Sequence, residues 1–274
     1  MEIGKTNAAW LDENHPNYNR WKRSREISIQ RGEFVKKIIE GIVPCSGLKI
    51  LDLGSGEGGT SASLASGNKV VSFDISKMRL LRQNQHSKDF LKILGDASSL
   101  PFKDKLFDLI IMQDVIEHLP SAEKTFTEVK RILKTGGLVY LSTPNKFSLF
   151  NIVADPHWGF PFVSLMNRHQ QKKYFLPIFR KSEINRNDTA QLISLKMLCK
   201  IFSNDFELSL KTLEVVNELL KGNKGIIWSE FHIKLLSFVK KLNLVKAISS
   251  IVNNQQGFVN NFFTPTFYFV LKKK

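Results

Sequence analysis

Cysteine is nearly absent from this chain of 274 residues. Cys45 and Cys199 are far apart, and neither sits in a metal-ligand spacing. A disulfide framework and a thiolate zinc site are disfavoured, a reducing compartment fits, and no metal is expected. Long apolar runs are lacking too. No stretch approaches the ~18 consecutive apolar residues of a membrane-spanning helix, and the opening MEIGKTNAAWLDENHP is polar and carries acids, unlike a secretory signal. The expectation is a cytoplasmic protein, soluble or peripheral at the inner membrane face. Acid is the third shortage: 25 acidic residues stand against 40 basic ones, a net charge of +15. The excess gathers late, with net +11 in residues 166–274 and +4 before them. That field favours anionic partners such as nucleic acid, acidic lipid or phosphorylated sugars, and it serves solubility equally well. Internal repeats and low-complexity tracts are missing as well. What is present, a hydrophobic fraction of 42%, suffices for a single domain with a proper core.

Hydrophobic spacing gives the order of elements. Ile27, Phe34, Val35, Ile38, Ile39 and Ile42 recur at helical intervals and predict a leading amphipathic helix. Short apolar strands follow at 48–53, 69–76, 90–97, 106–114 and 138–144, the last terminated by Pro144. Between them lie helices, one beginning at Ser61, one capped by Ser76, and one opening at Ser121 and stopping at Gly136. Strand and helix alternating in this way predict an α/β protein with a doubly wound, parallel sheet. After residue 145 the rhythm breaks into an aromatic, Pro/Gly-punctuated segment that suits a functional loop or lid. A helix over 188–202, a strand at 206–213, a helical stretch at 226–252 and a closing strand in TPTFYFVLKKK complete the chain.

Residues 50–60 read ILDLGSGEGGT, and Gly54, Gly56 and Gly59 fit G-x-G-x-x-G. Glycines there allow the turn its positive φ and let a ligand lie against bare backbone. Any nucleotide could use such a loop, so two acids separate the possibilities. Asp52 stands two residues before Gly54, where it opposes a pyrophosphate and favours a cationic ammonium. Asp74 ends the second strand, 20 residues after Gly54, where an acid can hold the two hydroxyls of a ribose. A nucleoside without phosphates but with a cationic arm satisfies both, and S-adenosylmethionine is that molecule.

The ordered series ILDLGSGEGGTS, VVSFDIS and LGDASSLPFKDKLFDLIIMQDVIEHLPSAEKTFTEVKRILKTGGLVYLSTPN resembles a class I S-adenosylmethionine-dependent methyltransferase. It is nearest the quinone-biosynthesis and small-molecule subgroup, over roughly residues 48–146. The resemblance implies a Rossmann-like, seven-stranded, mostly parallel sheet with helices on both faces, an antiparallel last strand, and helical or loop insertions forming a lid. With the hydrophobic pattern it gives a single domain over 1–274, expected to comprise a helical cap at 1–44, a cofactor-binding core at 45–146 and acceptor-site lid insertions at 147–203 and 214–262. It places Gly54, Ser55 and Gly56 against the methionine part of S-adenosylmethionine, and Asp52 near its ammonium. Asp74 would hold the ribose, Ile75 would flank the adenine, and Asp96 with Ala97 would lie at the adenine edge. The Gln113 backbone would close on the methionine amine.

A hydroxyl acceptor needs a general base, most often histidine. His118 in EHL and His157 in DPHWG are the two candidates, and Asp155 with Trp158 suits a polar acceptor stacked on an aromatic ring. His15, His86, His169 and His232 lack such a setting. The apolar stripe in 226–252 reads either as a helix on an anionic membrane or as a lid helix over the site mouth. The expected acceptor is a small molecule, glycan or lipid-linked precursor, with an anionic one favoured by charge. A nucleic-acid methyltransferase is the alternative prompted by the basic tail, although QDVIEHL replaces the amine-methylation motif after strand four and no RNA-binding module is attached. A non-catalytic cofactor-binding partner is the third possibility.

Overall fold

A computed structural model describes residues 11–86, 90–186, 189–223 and 250–274, with scattered positions between 225 and 242. Most of the predicted helical stretch at 226–252 lies outside the described residues, and the helix expected over 188–202 begins only at Leu195, because 189–194 run extended and Ile193 bridges to Asn145. Strands β1 (Lys49–Leu53), β2 (Lys69–Asp74), β3 (Leu91–Leu94), β4 (Phe107–Gln113), β5 (Leu133–Pro144), β6 (Phe206–Leu210) and β7 (Thr266–Lys273) form one sheet in the order β3-β2-β1-β4-β5-β7-β6. The first five pair in parallel. β7 runs antiparallel to both β5 and β6, as the resemblance implied. Strand order reverses between β1 and β4, and in such sheets ligands bind at the carboxyl ends beside that reversal.

The central strands are apolar on both faces because both are covered. β4 is buried almost throughout, with Leu109 and Ile111 in one core and Ile110 and Met112 in the other. Helix α2 (Ser28–Glu40) packs Phe34, Val35, Ile38 and Ile39 into the first core, so the N-terminal cap is a layer of the domain. It sits on α3 (Gly59–Ala65) so closely that a Cβ on Gly59 would come within 2.4 Å of Ser28. Helix α4 (Lys77–Arg82) starts where Ser76 Oγ accepts from the Arg79 amide, and α5 (Ala122–Ile132) where Ser121 Oγ accepts from the Lys124 amide, both at 3.3 Å.

Two boundaries differ from the sequence expectation. α5 ends at Ile132, not at Gly136, because fully buried Leu133 already pairs with Phe107 and opens β5. The expected insertion 147–203 divides in two. Its last helix, Leu195–Phe202, buries Leu195, Leu198 and Phe202 against Phe126 under the sheet. The remainder has its own small core of Trp158, Val163, Phe175 and Leu176. That segment, the expected lid, contains α6 (Leu149–Val153) and a helix over 168–179 with a π-helical turn at Gln171–Phe175. Among the described residues no helix is long and apolar enough to cross a membrane.

Candidate active site

The glycine loop leaves β1 with Gly54 at φ +74° and Gly56 at φ +53°. At Gly54 a Cβ would lie 2.5 Å from a Val115 methyl; at Gly56 it would meet nothing within 4 Å. The loop therefore offers bare backbone to an open space at the carboxyl end of the sheet. Gln83 supports it from below. This fully buried side chain donates to Gly56 O at 2.8 Å and Ser55 Oγ at 3.0 Å, and accepts from Ser72 Oγ at 2.7 Å. Sequence reasoning missed Gln83, whose partners are 11 to 28 residues away in the chain.

Asp52 is buried on β1 and accepts from Ser61 Oγ at 2.6 Å. Burial pushes its carboxyl up to about 6; the Ser61 hydroxyl opposes the rise and the nearby Asp74 adds to it. Asp74 accepts the Gly56 amide on one oxygen and the Ser76 amide on the other, each at 2.8 Å. A carboxylate has room for about four donors, so Asp74 fixes the loop and retains capacity for a ribose diol. Ile75 and Ala97 are half-buried, and Asp96 accepts from the Ser98 amide at 2.8 Å while staying partly exposed. Gln113 Oε1 ties the end of β4 to α3 through the Thr60 hydroxyl at 2.5 Å. The loop, Asp52, Asp74, Asp96 and Gln113 thus share the carboxyl end of the sheet. An open glycine backbone beside a buried acid suits a nucleoside with a cationic arm.

The second half of the site follows β4. Asp114 adopts φ +54°, a conformation aspartate tolerates better than most residues. It accepts from Arg31 of α2 at 2.6 Å and from Ser142 at 3.0 Å. A short 3-10 turn, Ile116–His118, then carries Glu117 inward, where it is 0% exposed. Its Oε2 accepts from Thr143 Oγ1 at 2.9 Å, whereas its Oε1 has no hydrogen-bond partner. Burial, then the charge of Asp114, raises the Glu117 carboxyl well above the usual carboxylate range. His157 Nε2 lies 4.0 Å from Glu117 Oε1, and the His157 ring meets the His118 ring edge to face at 5.1 Å. The structure thus brings the two candidate bases together, about a carboxylate that sequence reasoning left unassigned. The signal was the letter before His118.

Asp155 and Trp158 are both buried and hydrogen-bonded within the protein. Asp155 is buried and accepts the amides of His157 and Trp158 at 2.8 and 2.9 Å, which shapes the turn that presents His157. Trp158 is 3% exposed, donates to Gln171 Oε1 at 3.1 Å and packs on Phe175. It is therefore a lid-core residue, and the expected stacking platform is not presented there. Asn17, just before α1 (Tyr18–Glu26), donates to the His157 carbonyl at 2.5 Å and so joins the N-terminal cap to the same turn.

Residues 51–141 match the family model described as a methyltransferase domain. The chain is 36% identical over 100 residues to squalene methyltransferase 1 of Botryococcus braunii, covering 34% of this chain and 26% of that protein. It is 31% identical over 137 residues to the malonyl-[acyl-carrier protein] O-methyltransferase of Erwinia pyrifoliae, covering 49% of this chain and 50% of that one. The chain thus spans about a quarter to a half of the length of these curated relatives. The crystal structure of an S-adenosylmethionine-dependent methyltransferase from Mesorhizobium loti superposes with a TM-score of 0.54 at 13% identity, over 86% of this chain and 96% of that one, and shares the fold. By its ordered motifs and this match, the chain carries over residues 51–141 a methyltransferase domain, on a sheet with the fold of S-adenosylmethionine-dependent methyltransferases.

Proposed function

We propose that the chain transfers a methyl group from S-adenosylmethionine to a hydroxyl of a small molecule, glycan or lipid-linked precursor. One observation carries this reading: a carboxylate and two imidazoles meet just past the end of β4, four residues beyond Gln113 at the cofactor end. Polar side chains able to take up a hydroxyl proton are what an oxygen acceptor of ordinary pKa needs. The similarity to a protein named as an O-methyltransferase points the same way. Exposed Leu149, Val153 and Phe162 on the lid suit an acceptor with an apolar portion.

S-adenosylmethionine, when bound, supplies an electrophilic methyl and a neutral thioether leaving group. The chain does the rest. Gly54, Gly56, Asp52 and Asp74 hold the nucleoside and its amino-acid arm in one orientation. Asp155 fixes the turn that brings His157 over the β4 end, and the lid core keeps water from the reacting atoms. The Glu117–His118–His157 cluster lowers the cost of removing the hydroxyl proton. Alignment of this kind is worth roughly 7–11 kcal/mol of barrier.

The test uses labelled S-adenosylmethionine with fractionated polar, lipid and RNA extracts. Label in a hydroxyl-bearing small molecule, glycan or lipid, lost in His157→Ala, supports the proposal. Label in RNA, with binding that falls steeply with salt, would replace it with the nucleic-acid reading. Cofactor binding with no label in any fraction would favour a non-catalytic partner.

A further inference from the structure

The cluster past β4 has the composition and spacing of a metal site. A carboxylate oxygen of Glu117, a ring nitrogen of His118 and a ring nitrogen of His157 all lie within 4.8 Å of one another. They come from two separate pieces of chain, the 3-10 turn after β4 and the Asp155-held turn of the lid. The 4.0 Å between Glu117 Oε1 and His157 Nε2 is too long for a hydrogen bond. Two donors bound to one ion at about 2.1 Å and a tetrahedral angle stand about 3.4 Å apart. A shift of well under an ångström would therefore seat both.

A second observation points to the same ligand. Glu117 is 0% exposed, Thr143 satisfies one of its oxygens, and the other is buried with no hydrogen-bond partner. An unsatisfied buried carboxylate oxygen is costly. The cations close by are already committed: Arg31 bonds Asp114 at 2.6 Å, and Arg168 donates to the Glu117 and Leu119 carbonyls at 2.8 and 2.7 Å. A positive ion between Glu117 and the two rings would complete the carboxylate's coordination.

We propose that Glu117, His118 and His157 bind a divalent transition-metal ion whose open positions take the acceptor oxygen. Two imidazole nitrogens and one carboxylate oxygen suit manganese, iron or zinc in the +2 state. This departs from the expectation of no metal, which rested on the cysteines alone. It also rests on the methyl-transfer reading above and sharpens it: the two histidines act as ligands. The acceptor hydroxyl, held on the ion, loses its proton to water. Its oxygen then forms the bond to the methyl carbon as the carbon–sulfur bond breaks, and that electron pair remains on sulfur.

The experiment is calorimetric titration of chelator-treated full-length protein with Mn2+ and, separately, with Zn2+, alongside S-adenosylhomocysteine titrations. One equivalent of at least one ion should bind. Affinity should fall at least about tenfold in each of Glu117→Gln, His118→Ala and His157→Ala, while exposed His169→Ala binds as wild type. S-adenosylhomocysteine affinity, unchanged in all four, shows that each variant is folded. If Glu117→Gln fails that check, the two histidine variants decide. No ion binding, or equal binding in the ligand variants, overturns the metal site. So does label transfer that persists undiminished in chelator, an outcome that leaves methyl transfer standing. Stoichiometric metal with no S-adenosylhomocysteine binding would instead remove the methyl-transfer reading.

Discussion

The two halves of the site treat their buried acids differently. Beside the glycine loop, Asp52 is satisfied by Ser61 and Asp74 by two backbone amides. Past β4, Glu117 is as deeply buried but keeps one oxygen without a partner. The first half is complete within the protein, so its shape is set before any ligand arrives. The second is assembled from the β4 turn, the segment after β5 and the N-terminal cap, and it leaves one buried carboxylate oxygen without a hydrogen bond. On the proposed function, the first half would take the cofactor common to many enzymes and the second the acceptor particular to this one.

The sharpest way to break this comparison is to remove a group from the second half and look for damage in the first. His157→Ala should cut turnover by about 10²–10⁴-fold, while S-adenosylhomocysteine affinity, measured by calorimetry, stays within about twofold of wild type. Coupled losses would show that the halves are not separate. Next in size is the lid core. Trp158→Ala should destabilise the region by about 3–5 kcal/mol. Thermal melting should show an early transition for the lid, with turnover falling because the 155–160 turn loosens. A single unshifted melt would place Trp158 outside any packing role.

In the first half, Asp74→Ala removes the acceptor of the Gly56 and Ser76 amides as well as the ribose partner. Equilibrium dialysis should show cofactor affinity weakened by more than about tenfold, or about 1.4 kcal/mol; an unaltered value would withdraw the ribose assignment. The smallest effect concerns pH. The Asp52 carboxyl is raised to about 6 in the folded protein, against about 3.9 for an ordinary aspartate. The folded state therefore takes up the proton first, and Asp52's effect on stability becomes more favourable as pH falls between those values. The cationic arm needs the ionised form, so affinity for S-adenosylhomocysteine should be steady above pH 6 and fall by up to about tenfold per unit below it. Asp52→Asn should bind more weakly and flatten that profile.

Much of the cofactor half was legible because its signals are local. The β1 and β2 strands, the Ser76 and Ser121 caps and the glycine turn each depend on residues within a few positions of one another. The acceptor half depends on contacts across the chain. Trp158 looked like a stacking platform because its burial is created by Phe175 and Leu176, well beyond the local window. Glu117 stood in EHL beside His118 with no role assigned, since Thr143 and His157 are brought to it only by the fold. Gln83 reads as a polar residue at the end of a helix, and only the folded loop shows it holding Ser55 and Gly56. The α5 boundary moved for the same reason, since Leu133 is claimed by the sheet and not by the helix that precedes it.

The measurement closest to the central claim is calorimetry of the wild-type protein with S-adenosylhomocysteine in one syringe and NADH in another. The arrangement of Asp52, Asp74 and the open Gly56 backbone predicts a saturable signal at one equivalent for the thioether and none for the dinucleotide. Heat from NADH with a flat trace for S-adenosylhomocysteine would contradict it.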